Sequence, residues 1–237
     1  MACNKTTTSP TTSIGSPTVA NTGTPASTIT PIPLQNFSNA TFTFFTQQIL
    51  VTTNPLIFKA TCNGQATFFN GTSNTNSVKT TVQAVYLDSV PLSFYSSNTS
   101  YSSPNIAAGN CTWQIYGSGN IPSFTYAGNQ IPRLVNYTSL PDTIDHTKPL
   151  PIFLQFSIGH GGNATIFFGN NHTISASASV YATDTAHIYF SASTMSGLSV
   201  GSATLSFDAD YYDQESVNNI PMLFYNKNTF NKVVYIK

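Results

Sequence analysis

The stretch GSATLSFDADYY, residues 201–212, indicates most clearly which secondary structure this chain forms. Its large or apolar residues occupy alternate positions, namely Leu205, Phe207, Ala209 and Tyr211. Asp208 and Asp210 fall between them. Because successive side chains of a β-strand point to opposite faces of a sheet, this spacing predicts a half-buried strand.

Similar short runs follow one another along the chain after residue 36, separated by Asn, Gly, Ser and Pro. They include LIFKATC (56–62), CTWQIYG (111–117), IFLQFSIG (152–159) and HTISASASVY (172–181). We expect Asn63-Gly64-Gln65 to connect LIFKATC and ATFF as a β-hairpin. Only SASTMSGL predicts a short helix, with Ser191 as its N-cap and Gly197 as its terminator. The predicted fold class is therefore all-β.

The number and spacing of these runs suggest how the chain is divided. Two sets of about seven short strands predict two tandem immunoglobulin-like β-sandwich domains. We place a disordered Thr/Ser/Pro-rich stalk at residues 1–35 and the first domain at 36–130. A Pro-rich connector then covers 131–151, and the second domain covers 152–237. One large β-sandwich or jelly roll is the alternative.

Charged residues are scarce, at 7% of the chain, and the formal net charge is zero. Surface polarity must therefore come from Ser, Thr, Asn and Gln. A nucleic-acid-binding domain normally carries a basic patch, whereas Arg133 and seven Lys are scattered here. We expect no nucleic-acid partner.

The chain contains three cysteines, Cys3, Cys62 and Cys111. Cys62 ends one apolar run and Cys111 begins another, so we predict a disulfide between them. On the chain-entropy model this bridge would contribute roughly 4 kcal/mol. Two buried, reduced thiols in a cytosolic protein are the alternative. Trp113 shares a strand face with Cys111, a packing similar to that in immunoglobulin-like sandwiches, although the residue spacing differs from that family.

The first residues, MACNKTTTSPTTS, place Ala2-Cys3 at the head of a Thr/Ser/Pro-rich tail. This start resembles the mature end of a bacterial cell-envelope lipoprotein, whose signal ends in a small residue followed by the lipid-bearing cysteine. The resemblance implies lipidation of Cys3 and membrane attachment only through that lipid. It also implies an extracytoplasmic location, in the cell envelope (outer membrane or cell surface) or secreted.

Four of the eight acidic residues fall within eight positions: Asp208, Asp210, Asp213 and Glu215. Two carboxylates on one strand face, followed by two in a turn, supply the hard oxygen ligands that Ca²⁺ prefers. Calcium is therefore the one candidate cofactor. The alternative is an outward strand face kept soluble by charge, which also discourages pairing with another strand edge.

No pattern indicates a catalytic residue, since HExxH and CxxC are absent from the sequence. One GxSxG match is present, GLSVG at residues 197–201, but it follows the predicted short helix and precedes a predicted strand. A nucleophile elbow has the opposite order, a strand, a sharp turn and then a helix. We therefore expect no enzymatic activity. Exposed tyrosines are candidates for stacking on sugars, namely Tyr95, Tyr101, Tyr116, Tyr126, Tyr211 and Tyr212. Nine Asn-x-Ser/Thr sequons matter only in a host that N-glycosylates; they include Asn36, Asn39, Asn70, Asn98, Asn110, Asn136, Asn163 and Asn171.

These observations favour a non-enzymatic cell-surface or periplasmic lipoprotein with an adhesion, assembly or ligand-presentation role. The expected partners are glycans or cell-surface proteins. A carbohydrate-binding module of a glycan-capture system is the first alternative. A glycoside hydrolase and a fibre or appendage subunit, which would polymerise by donating a strand from its N-terminal tail, are further alternatives.

Overall fold

Two C-terminal strands of 17 residues each, Gly201–Val217 and Ile220–Ile236, form the centre of the structure. The computed structural model describes residues 27–53, 56–106, 111–128, 131–157, 163–169, 173–179 and 185–237. In chain order the strands are β1 (Ile29–Pro31), β2 (Ala40–Thr53), β3 (Leu56–Asn70), β4 (Val78–Thr80), β5 (Ala84–Leu87), β6 (Val90–Pro91), β7 (Ser93–Tyr95), β8 (Ser100–Ile106), β9 (Thr112–Tyr116), β10 (Phe124–Ala127), β11 (Thr143–Ile144), β12 (Leu150–Gln155), β13 (Asn163–Gly169), β14 (Thr173–Ser179), β15 (Thr185–Phe190), β16 (Gly201–Val217) and β17 (Ile220–Ile236). The all-β prediction is confirmed.

The strands form three sheets. The largest has 11 strands along the path β14-β13-β16-β17-β2-β3-β8-β7, with β1 added to β16, β11 to β17 and β4 to β3. A second sheet has four strands in the order β10-β9-β5-β6, and β12 pairs with β15 in the third. Most pairs are antiparallel, but β17 runs parallel to β2.

A two-residue turn joins β16 to β17. Asn218 and Asn219 have φ values of +50° and +67°, and Val217 pairs with Ile220 on either side. Asparagine tolerates positive φ, and turns with two such residues match the twist of a hairpin. The turn therefore sets the register of the whole β16–β17 ladder.

Two hydrophobic cores lie on one face of the 11-stranded sheet. The first is enclosed by the four-stranded sheet and includes Phe42, Phe68, Trp113 and Phe224. The second is enclosed by the β12–β15 pair and includes Leu154, Phe190, Leu205 and Ile236. We call the sheet face that bears both cores the inner face and the opposite face the outer face.

Polar residues on β17 separate these cores. Asn226 and Asn228 follow the inner-face period of the strand and are buried between Phe224 and Phe230. Asn228 Nδ2 donates to the Pro132 carbonyl oxygen at 2.7 Å. The large sheet is therefore continuous past these asparagines, whereas the apolar packing on its inner face is divided into two cores.

The predicted division into consecutive domains is not confirmed. Strand β17 contributes Phe224 to one core and Ile236 to the other, and it pairs with β2, which begins at Ala40. Residues from both predicted domains therefore share one sheet. A long hairpin can serve two cores because its alternation continues over 17 residues, which short-range patterning did not reveal.

Two predicted boundary segments also belong to the fold where they are described. Within the predicted stalk, Ile29–Pro31 pairs with Glu215–Val217 as β1; residues 1–26 lie outside the described part. Within the predicted connector, Leu134, Leu140 and Ile144 are buried in the second core. Main-chain pairing and apolar burial therefore hold both segments against the sheet.

The prediction of a hairpin at Asn63-Gly64-Gln65 is wrong, since these residues lie inside β3. A Cβ at Gly64 would overlap Leu87 Cδ2 and lie 3.2 Å from Trp113 Cη2. Glycine is present there because the facing sheet packs against the β3 backbone, not because the chain turns.

The predicted short helix is confirmed as α1 (Ala192–Met195). The Ser191 side chain accepts a hydrogen bond from the Thr194 backbone N–H at 3.2 Å, as an N-cap does. A second helical segment is a 3-10 turn at Tyr137–Ser139. None of the described helices is long and apolar enough to span a membrane.

Candidate functional site

The alternation of β16 divides the four clustered acids between two faces. Asp208 and Asp210 point to the outer face, as the sequence predicted. Asp213 and Glu215 lie in the strand rather than in a turn, and they point to the inner face. The predicted site formed by all four carboxylates is therefore not assembled. Within the described residues, no three His, Cys, Asp or Glu side chains are grouped to hold a metal ion.

Tyr212 and Tyr225 form a stacked pair on the outer face. They are paired residues of β16 and β17, and their ring centroids lie 4.7 Å apart with planes inclined by 19°. Tyr225 also donates a hydrogen bond from its hydroxyl to Asp210 Oδ1 at 2.8 Å. Both rings are half-buried, so each retains surface that a ligand can contact.

Charged side chains continue this pair along the two strands. Lys227 lies opposite Asp210 in the ladder, and its Nζ is 2.7 Å from Asp208 Oδ2. Thr229 donates its hydroxyl hydrogen to Asp208 Oδ1. Burial raises the pKa of Asp210, against the opposing effects of the Tyr225 hydrogen bond and the Lys227 charge. We refer to Tyr212, Tyr225, Asp208, Asp210 and Lys227 as the outer-face strip.

A cleft of about 320 Å³ adjoins one end of this strip. Thr41 and Leu223, which pair across β2 and β17, lie at its floor. The loop of residues 35–38 forms one wall. Gln214 fixes this loop, because its Nε2 donates to the Phe37 carbonyl oxygen at 3.3 Å and its Oε1 accepts from the Gln35 N–H.

The inward acids form a separate pair, in which Glu215 is buried and Asp213 is partly buried. The Glu215 carboxyl is hydrogen-bonded to Asp213, and Tyr126 of β10 donates its hydroxyl hydrogen to Asp213 Oδ2. Glu215 is 7% exposed, and its Oε2 has no hydrogen-bond partner among the described residues. Burial, followed by the neighbouring Asp213 charge, raises the pKa of Glu215 to about 7. The raised pKa favours the neutral, protonated form of Glu215 at this site.

The structure does not contain the predicted Cys62–Cys111 disulfide. Both residues are buried free thiols. The Cys62 thiol points to Thr46 Oγ1 at 3.8 Å, and the Cys111 thiol to Asn226 Oδ1 at 3.6 Å. Burial raises the pKa of both thiols. Each sulfur is thus engaged by a polar partner of the large sheet rather than by the other sulfur. Cys3 lies outside the described residues.

The tyrosines named from the sequence occupy different environments. Tyr101 and Tyr211 are buried, and the Tyr101 hydroxyl donates to the Val82 carbonyl oxygen at 2.7 Å. Tyr126 stacks on Phe224 in the first core. Tyr95 is exposed, and Tyr116 packs against Tyr86. Of the six, only Tyr212 lies on the outer-face strip. Trp113 is buried, so it offers no platform for a sugar.

Tyr225 and Lys227 were not named from the sequence, because the acidic residues and tyrosines up to residue 215 were considered without their partner strand. The sequence nevertheless contains a pattern that locates both residues. Two adjacent asparagines form a two-residue hairpin turn, and counting outward from Asn218-Asn219 places Tyr212 opposite Tyr225 and Asp210 opposite Lys227. The turn therefore identifies the strip once its type is recognised.

No protein-family model matches this sequence, and no curated protein matches it either.

Proposed function

We propose that the protein is a non-enzymatic, extracytoplasmic binding protein that captures a glycan on its outer-face strip. The observation that carries this proposal is the stacked Tyr212–Tyr225 pair beside Asp208, Asp210 and Lys227. Tyrosine offers an apolar ring and a polar hydroxyl in one side chain. Carboxylates accept hydrogen bonds from sugar hydroxyls, and an ammonium group donates to sugar oxygens.

The charges of the strip favour a neutral glycan. Lys227 is already paired with Asp208 at 2.7 Å, so Asp210 is left as the second carboxylate of a strip that contains one cation. A polyanionic chain approaching the strip would meet a slight excess of negative charge. An uncharged, hydroxyl-rich glycan is not repelled by this negative charge.

Affinity electrophoresis tests this proposal. Native gels containing neutral or acidic polysaccharides would be run with the wild type, Tyr212→Ala, Asp210→Asn and a control, Tyr95→Ala. Tyr95 is 47% exposed and lies on β7, outside the strip. We expect one class of neutral polysaccharide to retard the wild type and Y95A, and to retard Y212A and D210N less. Equal retardation of Y212A and wild type would overturn the proposal.

An exposed apolar patch favours a second candidate function, assembly with a protein. Phe153 is 44% exposed and Tyr189 64% exposed, both on the outward side of the β12–β15 pair. His187 lies beside Phe153, with ring centroids 4.8 Å apart. Sedimentation velocity over a range of concentrations tests self-assembly; a single concentration-independent species would leave only a different protein as the partner.

The envelope location is proposed on the lipoprotein-like start at Ala2-Cys3. A lipid on Cys3 would attach the folded body to a membrane through the Thr/Ser/Pro-rich tail. Metabolic labelling with an alkyne fatty acid tests this attachment, with Cys3→Ser as the variant and Cys62→Ser as the matched control. Label that persists in C3S would contradict it.

A further inference from the structure

Five sequon asparagines have described side chains, and their amide nitrogens differ in what they bind. They are Asn36, Asn39, Asn70, Asn98 and Asn136. N-glycosylation replaces one of the two Nδ2 hydrogens by a bulky sugar that must lie at the surface. An asparagine whose two Nδ2 hydrogens both serve the fold is therefore unsuited to carry a glycan.

Asn39 is such a structural asparagine. It is 8% exposed, and its Nδ2 donates to the Phe69 carbonyl oxygen at 3.3 Å and to the Gly71 carbonyl oxygen at 2.8 Å. These bonds tie the start of β2 to the end of β3. A sugar on Asn39 would remove one of them and has no room.

Asn136 is used in the same way. Its Nδ2 donates to Ser139 Oγ at 3.2 Å and to the Phe153 carbonyl oxygen at 2.9 Å. Its Oδ1 accepts from the Gln155 backbone N–H at 2.9 Å. The bonds to Phe153 and Gln155 hold the 3-10 turn against β12. Both Nδ2 hydrogens are used in hydrogen bonds.

Asn36, Asn70 and Asn98 are exposed, and none of the hydrogen bonds among the described residues has one of their Nδ2 atoms as its donor. Asn98 uses only its oxygen, which accepts from Ser100 Oγ at 2.7 Å. Asn70 likewise accepts from Asn120 Nδ2 through its oxygen. A bond formed at the nitrogen leaves these contacts intact.

The three exposed sequons lie around one end of the 11-stranded sheet. Asn36 precedes β2, and Asn70 ends β3, the neighbouring antiparallel strand. Strand β4 pairs with that end of β3, and Lys79 of β4 donates from Nζ to the Asn98 carbonyl oxygen at 2.7 Å. Sugars at these positions would cover one end of the molecule.

We infer that Asn36, Asn70 and Asn98 carry N-linked glycans and that Asn39 and Asn136 do not. In this step the asparagine Nδ2 forms a bond to the anomeric carbon of a lipid-linked sugar phosphate. The bond from that carbon to the phosphate oxygen breaks, the lipid phosphate leaves, and the Nδ2 proton passes to a base of the transferase. The inference rests on the extracytoplasmic location proposed above and on a host that N-glycosylates exported proteins.

A glycan on Asn36 would stand at the mouth of the cleft, since Asn36 lines it. The strip itself begins with Tyr212 and Tyr225, farther along the strands from this end. We therefore place the captured ligand on the outer-face strip rather than in the cleft.

Peptide mapping by mass spectrometry of the full chain, purified from its native source, tests the inference. Enzymatic release of N-glycans in ¹⁸O-water converts each occupied asparagine to a labelled aspartate. We expect label at Asn36, Asn70 and Asn98 and none at Asn39 or Asn136. No label at the first three, or label at Asn39 or Asn136 in folded protein, would overturn the inference.

Matched substitutions separate modification from folding. Asn70→Gln should remove one glycan mass and leave the melting temperature unchanged. Asn39→Gln should remove no glycan mass and should lower the melting temperature, because both Nδ2 hydrogen bonds are displaced. Affinity electrophoresis of the same preparation distinguishes the two proposals. A protein that is retarded by a polysaccharide but carries no N-linked glycan would contradict only the present inference. A protein that carries N-linked glycans but is not retarded would contradict only the proposed binding.

Discussion

Asp213 and Glu215, two residues apart on the inner face of β16, share a hydrogen bond between their carboxyl groups. Like charges this close in a buried site oppose the ionisation of both groups. Strand β1 pairs with β16 at this point, with Pro31 opposite Glu215. Ionisation of Glu215 therefore places a negative charge beside Asp213, where β1 and β16 of the large sheet meet β10.

This pair makes folding stability depend on pH in a defined direction. The pKa of Glu215 is raised from 4.5 to about 7, so its neutral form favours the folded state. The contribution is present below the unfolded pKa and is lost as the pH rises through about 7. We expect a loss on the order of 3 kcal/mol across this range.

Glu215→Gln isolates that contribution, because it keeps the shape of the neutral acid. Chemical unfolding of both proteins between acidic and mildly alkaline pH would measure it. The variant should match the wild type at low pH and exceed it above neutrality. Parallel curves for the two proteins would contradict the assignment of the proton to this pair.

Gly64→Ala should destabilise the first core. A Cβ at this position overlaps Leu87 Cδ2, and overpacking of a buried site typically costs about 1–3 kcal/mol. Urea unfolding measures the change. The double variant Gly64→Ala/Leu87→Ala should show a non-additive, partly compensated effect; strict additivity would contradict direct packing of Leu87 on β3.

Cys62 and Cys111 should react with a thiol reagent only after unfolding. Both are buried, and burial raises the pKa of each thiol, so reactive thiolate is scarce in the folded state. Labelling followed by peptide mapping, with and without denaturant and in the absence of reductant, measures this. Labelling of these two residues only after reduction would show that they are bonded to each other.

Millimolar Ca²⁺ should leave the melting temperature unchanged. The four acids once grouped by sequence point to opposite faces of β16, and Asp208 is already neutralised by Lys227. Differential scanning fluorimetry with Ca²⁺, and with Mg²⁺ as the control ion, tests this expectation. A rise specific to Ca²⁺ that disappears in Asp213→Asn would contradict it.

Local patterning predicted the strands well because period-two alternation depends only on near neighbours. It placed Asp208 and Asp210 on one face opposite Leu205 and Phe207, as the structure has them. The same rule, continued to Asp213 and Glu215, predicts the inner face for both. Because these two residues were assigned to a turn, the predicted strand ended before Asp213, whereas β16 extends to Val217.

Long-range pairing was beyond the sequence argument. Nothing in Ala40–Thr53 indicates that its parallel neighbour is Ile220–Ile236, and the continuity of the large sheet depends on that pairing. Gly64 shows the converse problem: a glycine that normally signals a turn is required here by a side chain from another sheet. Tyr225 could be assigned to the strip only through the Asn218-Asn219 turn.

The most direct test of glycan capture is isothermal titration of the retarding polysaccharide, or an oligosaccharide from it, into the wild type and Tyr225→Phe. Removing the Tyr225 hydroxyl deletes the hydrogen bond to Asp210 and keeps the stacked ring. We predict saturable heat for the wild type and about tenfold weaker binding for Y225F, which corresponds to about 1.4 kcal/mol. Equal affinity of the two proteins, or no heat with the wild type, would contradict the assignment of the site.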